Sequence, residues 1–322
     1  MEQALAIAKA NLLSPLVLFF VLGILAVLVN SDLRVPEALY NGYTMIILLT
    51  IGIKGGAELA HAPLGTVLPI LAAALGLSAL MVVLAYAVLR RLYRFGPDNA
   101  AAIAAHYGSV SAVTFAAATS FLQAQGIAYE RYLSIVLAVL ESPAILLGIL
   151  LYKWSTHNGS GIRLGGIIKE AVFGKSIFLL LGGIVIGMIS NENGIQGIKP
   201  LFGDLFYGLL CIFLLHMGMV SCQNLRRLEG FHPLRFSFAF VFPVIGGTLG
   251  VFVGKMLGMS LGGATLLGVL TASASYIAAP AAISQAIPSA NPGLYLSASI
   301  GFTLPFNLIV GIPTYFWMAN VL

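Results

Sequence analysis

His106-Tyr107-Gly108-Ser109-Val110-Ser111-Ala112-Val113-Thr114-Phe115 and Leu270-Thr271-Ala272-Ser273-Ala274-Ser275-Tyr276-Ile277-Ala278-Ala279-Pro280 decide the reading of this chain. Each interrupts a run of good helix formers with small hydroxyl residues and a breaker, Gly108 or Pro280, and the second follows the first by about 163 residues. Downstream landmarks recur in the same order: Tyr132-Leu133-Ser134 and Pro143, then Tyr295-Leu296-Ser297 and Pro305. Upstream, Leu48-Leu49-Thr50-Ile51-Gly52-Ile53 has the shape of Leu214-Leu215-His216-Met217-Gly218-Met219. Apolar helices resemble one another cheaply, but several polar landmarks in one order read as a duplicated half.

The surroundings are membrane-like. Of 322 residues 59% are hydrophobic and 8% charged, with a mean hydropathy of +1.00; a soluble domain carries roughly a quarter charged residues. Polar stretches divide the chain into ten candidate spans: 12–29, 37–53, 64–90, 99–123, 131–152, 174–190, 202–221, 235–257, 262–286 and 294–319. Most approach the ~20 residues that cross a hydrocarbon core. The expected fold is therefore an all-α integral membrane protein of ten transmembrane helices, with helices 4 and 9 broken. Residues 1–156 form a first five-span repeat, 157–173 a polar, Gly-rich cytoplasmic linker, and 174–322 the second repeat. An odd number of spans per copy turns the second copy upside down, a recurring plan of secondary transporters.

Charge orients the spans. If connections after odd-numbered spans face the cytoplasm, they hold eleven of the sixteen basic residues: Arg34, Arg90, Arg91, Arg94, Lys153, Arg163, Lys169, Lys175, Arg226, Arg227 and Arg235. The opposite side holds Lys9, Lys54, Arg131, Lys199 and Lys255. The positive-inside rule then puts both termini on the non-cytoplasmic side, and the net charge of +5 needs no nucleic-acid partner. The N-terminus lacks a basic region before its apolar run and a small-x-small cleavage site, so 12–29 reads as a retained span. Cys211 and Cys222 stand eleven residues apart on one helix, about 16 Å of rise that no disulfide closes. No zinc spacing, P-loop or dinucleotide fingerprint occurs.

Chemistry is expected at the interruptions. A helix restarting in mid-membrane offers free N–H groups and a positive dipole end to an anion. Gly and Ser let a small ligand approach the backbone, and hydroxyls both donate and accept. Gly108, Ser109, Ser111, Ser273, Ser275 and Tyr276 are the candidate anion-binding residues. Tight helix packing would use the same small residues; their occurrence at matching positions in both halves favours a site. Glu141, in Leu137-Ala138-Val139-Leu140-Glu141-Ser142-Pro143, is the acidic residue deepest in any span, and an intramembrane carboxylate is a functional-site hypothesis by default. Pro143 and Pro305 free the carbonyls of Val139 and Gly301. With Glu141, Ser142, Thr303 and Asn307, these are hard oxygen ligands for a sodium ion. A protonated Glu141 acting as a proton carrier is the rival reading.

These motifs, with Asn291-Pro292-Gly293-Leu294-Tyr295-Leu296-Ser297, resemble the sodium-dependent bicarbonate transporter (SbtA) family over nearly the whole chain. The ninth-span motif is the most specific part. The resemblance implies a fold similar to bile-acid sodium symporters: two inverted five-helix repeats, a gate of spans 1, 2, 6 and 7, and a core of spans 3–5 and 8–10 in which the broken helices cross. It also implies a homotrimer in a bacterial inner membrane, sodium-coupled bicarbonate uptake, and a PII-like regulatory protein binding from the cytoplasm. Glu141-Ser142-Pro143 stands where cyanobacterial members have Asp-Ile-Pro, retaining the carboxylate.

The expected activity is secondary active transport, not catalysis: inward movement of bicarbonate with co-transported sodium, by alternating access and without an organic cofactor. Alternatives are a sodium- or proton-coupled symporter of another small carboxylate, and a cation/proton antiporter using Glu141. A membrane sensor is disfavoured because the longest connection is about 20 residues. An intramembrane hydrolase would have only Ser109 with His106 as a nucleophile–base pair, without an orienting acid.

Overall fold

Hydrocarbon offers no partner to backbone N–H and C=O groups, so a chain of this composition satisfies them within helices. The computed structural model describes residues 11–62, 64–156, 175–226 and 236–322, and no strand occurs among them. The expected linker 157–173 lies outside the described residues, as do Lys9, Arg163, Lys169, Arg227 and Arg235 of the charge argument.

Among the described residues, helices stand on the apolar stretches. The first half contains α1 (Pro15–Leu28), α2 (Glu37–Leu59), α3 (Leu64–Arg91), α4 (Pro97–Gly108), α5 (Ala112–Ala124), α6 (Leu133–Leu140) and α7 (Pro143–Thr156). The second contains α8 (Lys175–Ile189), α9 (Glu192–Lys199), α10 (Phe206–Arg226), α11 (Phe238–Met256), α12 (Leu261–Ala272) and α13 (Ala278–Ala286). It closes with α14 (Pro292–Leu296), α15 (Leu304–Phe306) and α16 (Ile312–Val321). Six helical stretches among the described residues are long and apolar enough to cross a membrane by length and composition: Leu64–Arg91, Pro97–Ala124, Leu133–Thr156, Glu192–Arg226, Phe238–Met256 and Pro292–Val321.

Glycine sets which helices pair. A Cβ on Gly23 of α1 would lie 2.0 Å from the Leu215 carbonyl oxygen of α10, and one on Gly218 would lie 2.0 Å from that of Phe20. Between α2 and α8, Gly52 and Gly56 abut the carbonyls of Leu180 and Ile184, while Gly187 abuts that of Ile53. Small residues four apart let helices approach at backbone distance, the usual means of packing where lipid removes the hydrophobic drive. Further along, α3 packs on α4 and α7, and α11 on α12.

Both expected breaks occur. After α4, Ser109 and Ser111 are extended, and the Ser111 hydroxyl caps α5 by accepting from the Thr114 N–H at 3.1 Å. After α12, Ser273 is extended and the chain is non-helical to Ile277. Pro280 is not the breaker: it is the third residue of α13, in the first turn, where its missing N–H would have had no intrahelical partner. Gly108, the last residue of α4, is glycine for want of room, since a Cβ there would lie 2.0 Å from Val82 Cγ2 and 3.0 Å from the Ser78 carbonyl oxygen. At Glu141 the chain keeps helical dihedrals, φ −63° and ψ −37°, so α6 and α7 meet in a kink. Around Pro305 the last helix continues through two π-helical stretches, Ser297–Thr303 and Asn307–Gly311, wide turns that take up the missing hydrogen bond.

Candidate functional site

The two breaks, about 160 residues apart in sequence, meet. The Ser275 N–H donates to the His106 carbonyl at 2.9 Å. Reciprocally, the Ser111 N–H donates to Ser273 Oγ at 3.0 Å, and that hydroxyl donates to the Leu270 carbonyl at 2.8 Å. His106 matches Leu270, and Ser111 matches Ser275, in the repeat offset. The same link is thus made twice, once directly and once through a hydroxyl. Each tie satisfies a buried backbone group that a break would otherwise leave unpaired.

A small pocket opens where they meet, walled by Val110, Ser111 and Ala112 of one break, Ser275, Tyr276 and Ile277 of the other, Leu48 of α2, and Glu141. Two polar groups here lack a well-placed protein partner. The Tyr276 hydroxyl is buried and makes no hydrogen bond of good geometry, its polar neighbour being the Ser111 hydroxyl. Glu141 is 7% exposed, and its carboxylate has no hydrogen-bond or ion-pair partner among the described residues. The starts of α5 and α13 border the same space, and helix starts carry partial positive charge. The pocket therefore has donors and positive ends on two sides and one carboxylate in its wall, a combination that suits an anion and a cation together.

The expected anion residues divide into wall and frame. Ser111, Ser275 and Tyr276 line the pocket. Ser109 turns away, its hydroxyl donating at 2.9 Å to the Glu141 carbonyl and tying the first break to the kink. Ser273 carries the relay between the breaks, and the Gly108 carbonyl accepts from Ser78 Oγ at 2.7 Å. Ser275 also works as a cap, its Oγ accepting from the Ala279 N–H at 3.2 Å.

The expected sodium ligands do not all gather in this pocket. Glu141 lines it, with Ser142 half-buried beside it in the kink. Thr303 instead donates to the Ala239 carbonyl at 2.8 Å and pairs with the Tyr107 hydroxyl at 2.6 Å. The Asn307 amide donates to the Ala272 carbonyl at 3.0 Å, satisfying the end of α12, and its oxygen accepts from Tyr315 at 3.2 Å. No group of three or more His, Cys, Asp or Glu that could hold a metal occurs among the described residues.

Ser109 and His106 do not form a nucleophile–base pair. The serine hydroxyl is on Glu141, while His106 Nδ1 bonds the Ala102 carbonyl at 2.7 Å and the ring stacks on Tyr295 at 4.6 Å between centroids. Leu48, Val110 and Ile277 escape sequence reasoning because apolar wall residues look like any other span residue. Ser78, Tyr107 and Tyr315 were findable only as buried polar groups that must bond something.

A family model described as the Na+-dependent bicarbonate transporter superfamily matches residues 15–320. The chain belongs to that superfamily. No curated protein matches it. Membership, with the long apolar helices, makes it a multi-pass membrane transporter of the sodium-dependent bicarbonate class.

Proposed function

We propose that this member of the Na+-dependent bicarbonate transporter superfamily carries bicarbonate inward with sodium by alternating access, binding the anion between the two helix breaks. The observation that carries the reading is the pocket where the breaks meet, walled by a tyrosine hydroxyl without a well-formed hydrogen bond and a buried carboxylate without an ion pair among the described residues. An unsatisfied buried polar group costs about 1–3 kcal/mol, more when charged. A cation at Glu141 and an oxyanion at Tyr276, Ser111 and Ser275 relieve both at once. Glu141 alone repels the anion; with sodium beside it the sign reverses. Opposite unit charges 4 Å apart attract by about 4 kcal/mol at an effective dielectric near 20, enough to make each ligand's binding depend on the other.

In this reading Glu141 and Ser142 contact the cation, and Gly108, Ser109 and Ser273 shape the frame. Thr303 and Asn307 act as positioning residues that hold the second break. Ten spans in two inverted five-helix repeats form the scaffold, and several observations support this. The glycine-packed pair α1 and α10 has its counterpart in α2 and α8, and α3 on α4 has its counterpart in α11 on α12. Polar links between helix ends join ends that the charge argument assigns to one side: Arg226 with Asn30, Lys175 with Asn41, Tyr93 with Ser237, and Asn291 with Asn99. On the other side Glu130 receives both the N–H and the hydroxyl of Ser260. Transport follows when spans 3–5 and 8–10 move as a core against spans 1, 2, 6 and 7. The homotrimer, the bacterial inner membrane with both termini non-cytoplasmic, and the PII-like cytoplasmic partner belong to the same reading through the resemblance.

The test is radiolabelled bicarbonate uptake into proteoliposomes with and without an inward sodium gradient, for the parent and for Glu141→Gln. Sodium-dependent accumulation that Glu141→Gln abolishes, with the variant still folded, is the expected result. Normal sodium-coupled uptake by Glu141→Gln refutes the assignment, and proton-driven uptake indifferent to sodium favours the proton-carrier alternative.

A further inference from the structure

A second, larger pocket lies along the same two helices as the first. On α2 the wall passes from Leu48 of the first pocket to Ile51 and Lys54 of the second; on α5 it passes from Ala112 to Phe115 and Thr119. Each step is about one helical turn, roughly 5 Å, and it leads toward the ends of α2 and α5 assigned to the non-cytoplasmic side.

The chemistry of the second pocket is cationic. Lys54 and Arg131 both line it, close enough to repel each other. Neither has an ion pair among the described residues. Lys54 Nζ instead sits 4.7 Å above the Phe206 ring. The carboxylates around the pair are Asp204, felt by Lys54, and Glu58, felt by Tyr129 and Tyr132, both exposed, while neighbouring Glu130 is engaged by Ser260. Deeper in the same pocket the Ser134 hydroxyl is 1% exposed and has no hydrogen-bond partner. Like charges held together with only exposed carboxylates nearby and no ion pair, next to an idle buried hydroxyl, are an arrangement that an anion would stabilise. Ser134 also closes the Tyr132-Leu133-Ser134 motif, to which the transport site gives no role.

We infer that this pocket is an anion-capturing vestibule on the non-cytoplasmic face, in which Lys54 and Arg131 concentrate a small oxyanion and Ser134 receives it before it moves one turn inward to the helix breaks. The inference deepens the transport reading and rests on it for the anion's destination, but the electrostatic capture stands on its own test.

Gln123 lines the pocket at its exposed rim, and Gln123→Cys places a thiol there, while Cys211 and Cys222 are buried. Modification of this variant by membrane-impermeant anionic methanethiosulfonate ethylsulfonate is compared with its cationic trimethylammonium counterpart, with the parent chain as blank. With each rate divided by that of the same reagent toward a small free thiol, the anionic reagent is expected to be favoured about tenfold, the lower end of what like-charged clefts achieve. The preference should fall toward one in Lys54→Gln/Arg131→Gln, with each single variant in between should the double fail to fold. In the uptake assay the same variants are expected to raise the bicarbonate KM about tenfold at low ionic strength, with little change in kcat. A reagent ratio already near one in the parent background, or an unchanged KM in a folded double variant, overturns the vestibule. If the parent takes up no bicarbonate, the transport reading fails, and the reagent ratio alone still decides the vestibule.

Discussion

Tyr276→Phe separates the proposed binding role from a structural one, because the two make opposite demands on one hydroxyl. The residue is 8% exposed, its hydroxyl is buried without a well-formed hydrogen bond, and it lines the pocket between the breaks. Phe keeps the ring and its packing. Deleting a hydroxyl whose only polar neighbour, the Ser111 hydroxyl, is poorly placed to bond it removes an under-satisfied group, so folding stability should hold or rise by up to about 1–3 kcal/mol. With the anion bound, the same hydroxyl donates to a charged oxygen, a bond worth about 1.5–3 kcal/mol, so its loss weakens binding roughly 10- to 150-fold. The measurements are thermal unfolding in detergent and the KM for bicarbonate in sodium-driven uptake. The expected outcome is an unchanged or raised Tm with a KM at least tenfold higher. A lowered Tm with an unchanged KM would refute the reasoning, since it would mean that the hydroxyl supports the fold and not the anion.

The remaining predictions concern the frame. Asn307→Ala leaves the Ala272 carbonyl without its partner and removes one of the two acceptors of the Tyr315 hydroxyl; it should destabilise the protein by about 1–3 kcal/mol, read as a lowered Tm, and slow uptake in proportion to the loss of folded protein. Gly218→Val puts a branched side chain where a Cβ alone would lie 2.0 Å from the Phe20 carbonyl oxygen; overpacking of this kind costs about 1–3 kcal/mol, and the Tm should fall while the sodium dependence of any remaining uptake is kept.

The sequence located the helix breaks because a membrane makes secondary structure a local matter. With no water to satisfy the backbone, an apolar run becomes a helix, and a Ser-x-Ser pair within it marks where side chains can take over the backbone's bonds. Glu141 was legible for the same reason, being a charge where charge is costly. What the residue list left open was which group does what at each break. Pro280 lies past its break, inside the first turn of α13. Thr303 and Asn307, read as ion ligands by type, spend their polar atoms on Ala239, Tyr107, Ala272 and Tyr315. Lys54 and Arg131 enter the sequence reading only as basic residues counted on the non-cytoplasmic side, yet they face a common pocket.

By itself the sequence determined the membrane class, the positions of the helices and breaks, and the residue types available for an anion and a cation. Only the tertiary structure decided that Ser111 meets Ser273, that Ser275 meets His106, and that Glu141 stands in the wall between them. The physical reason is range. Hydropathy and helix breaking act within one span, whereas the meeting of the breaks depends on glycine-mediated packing and single hydrogen bonds between segments about 160 residues apart, where any of several small residues could have made the contact.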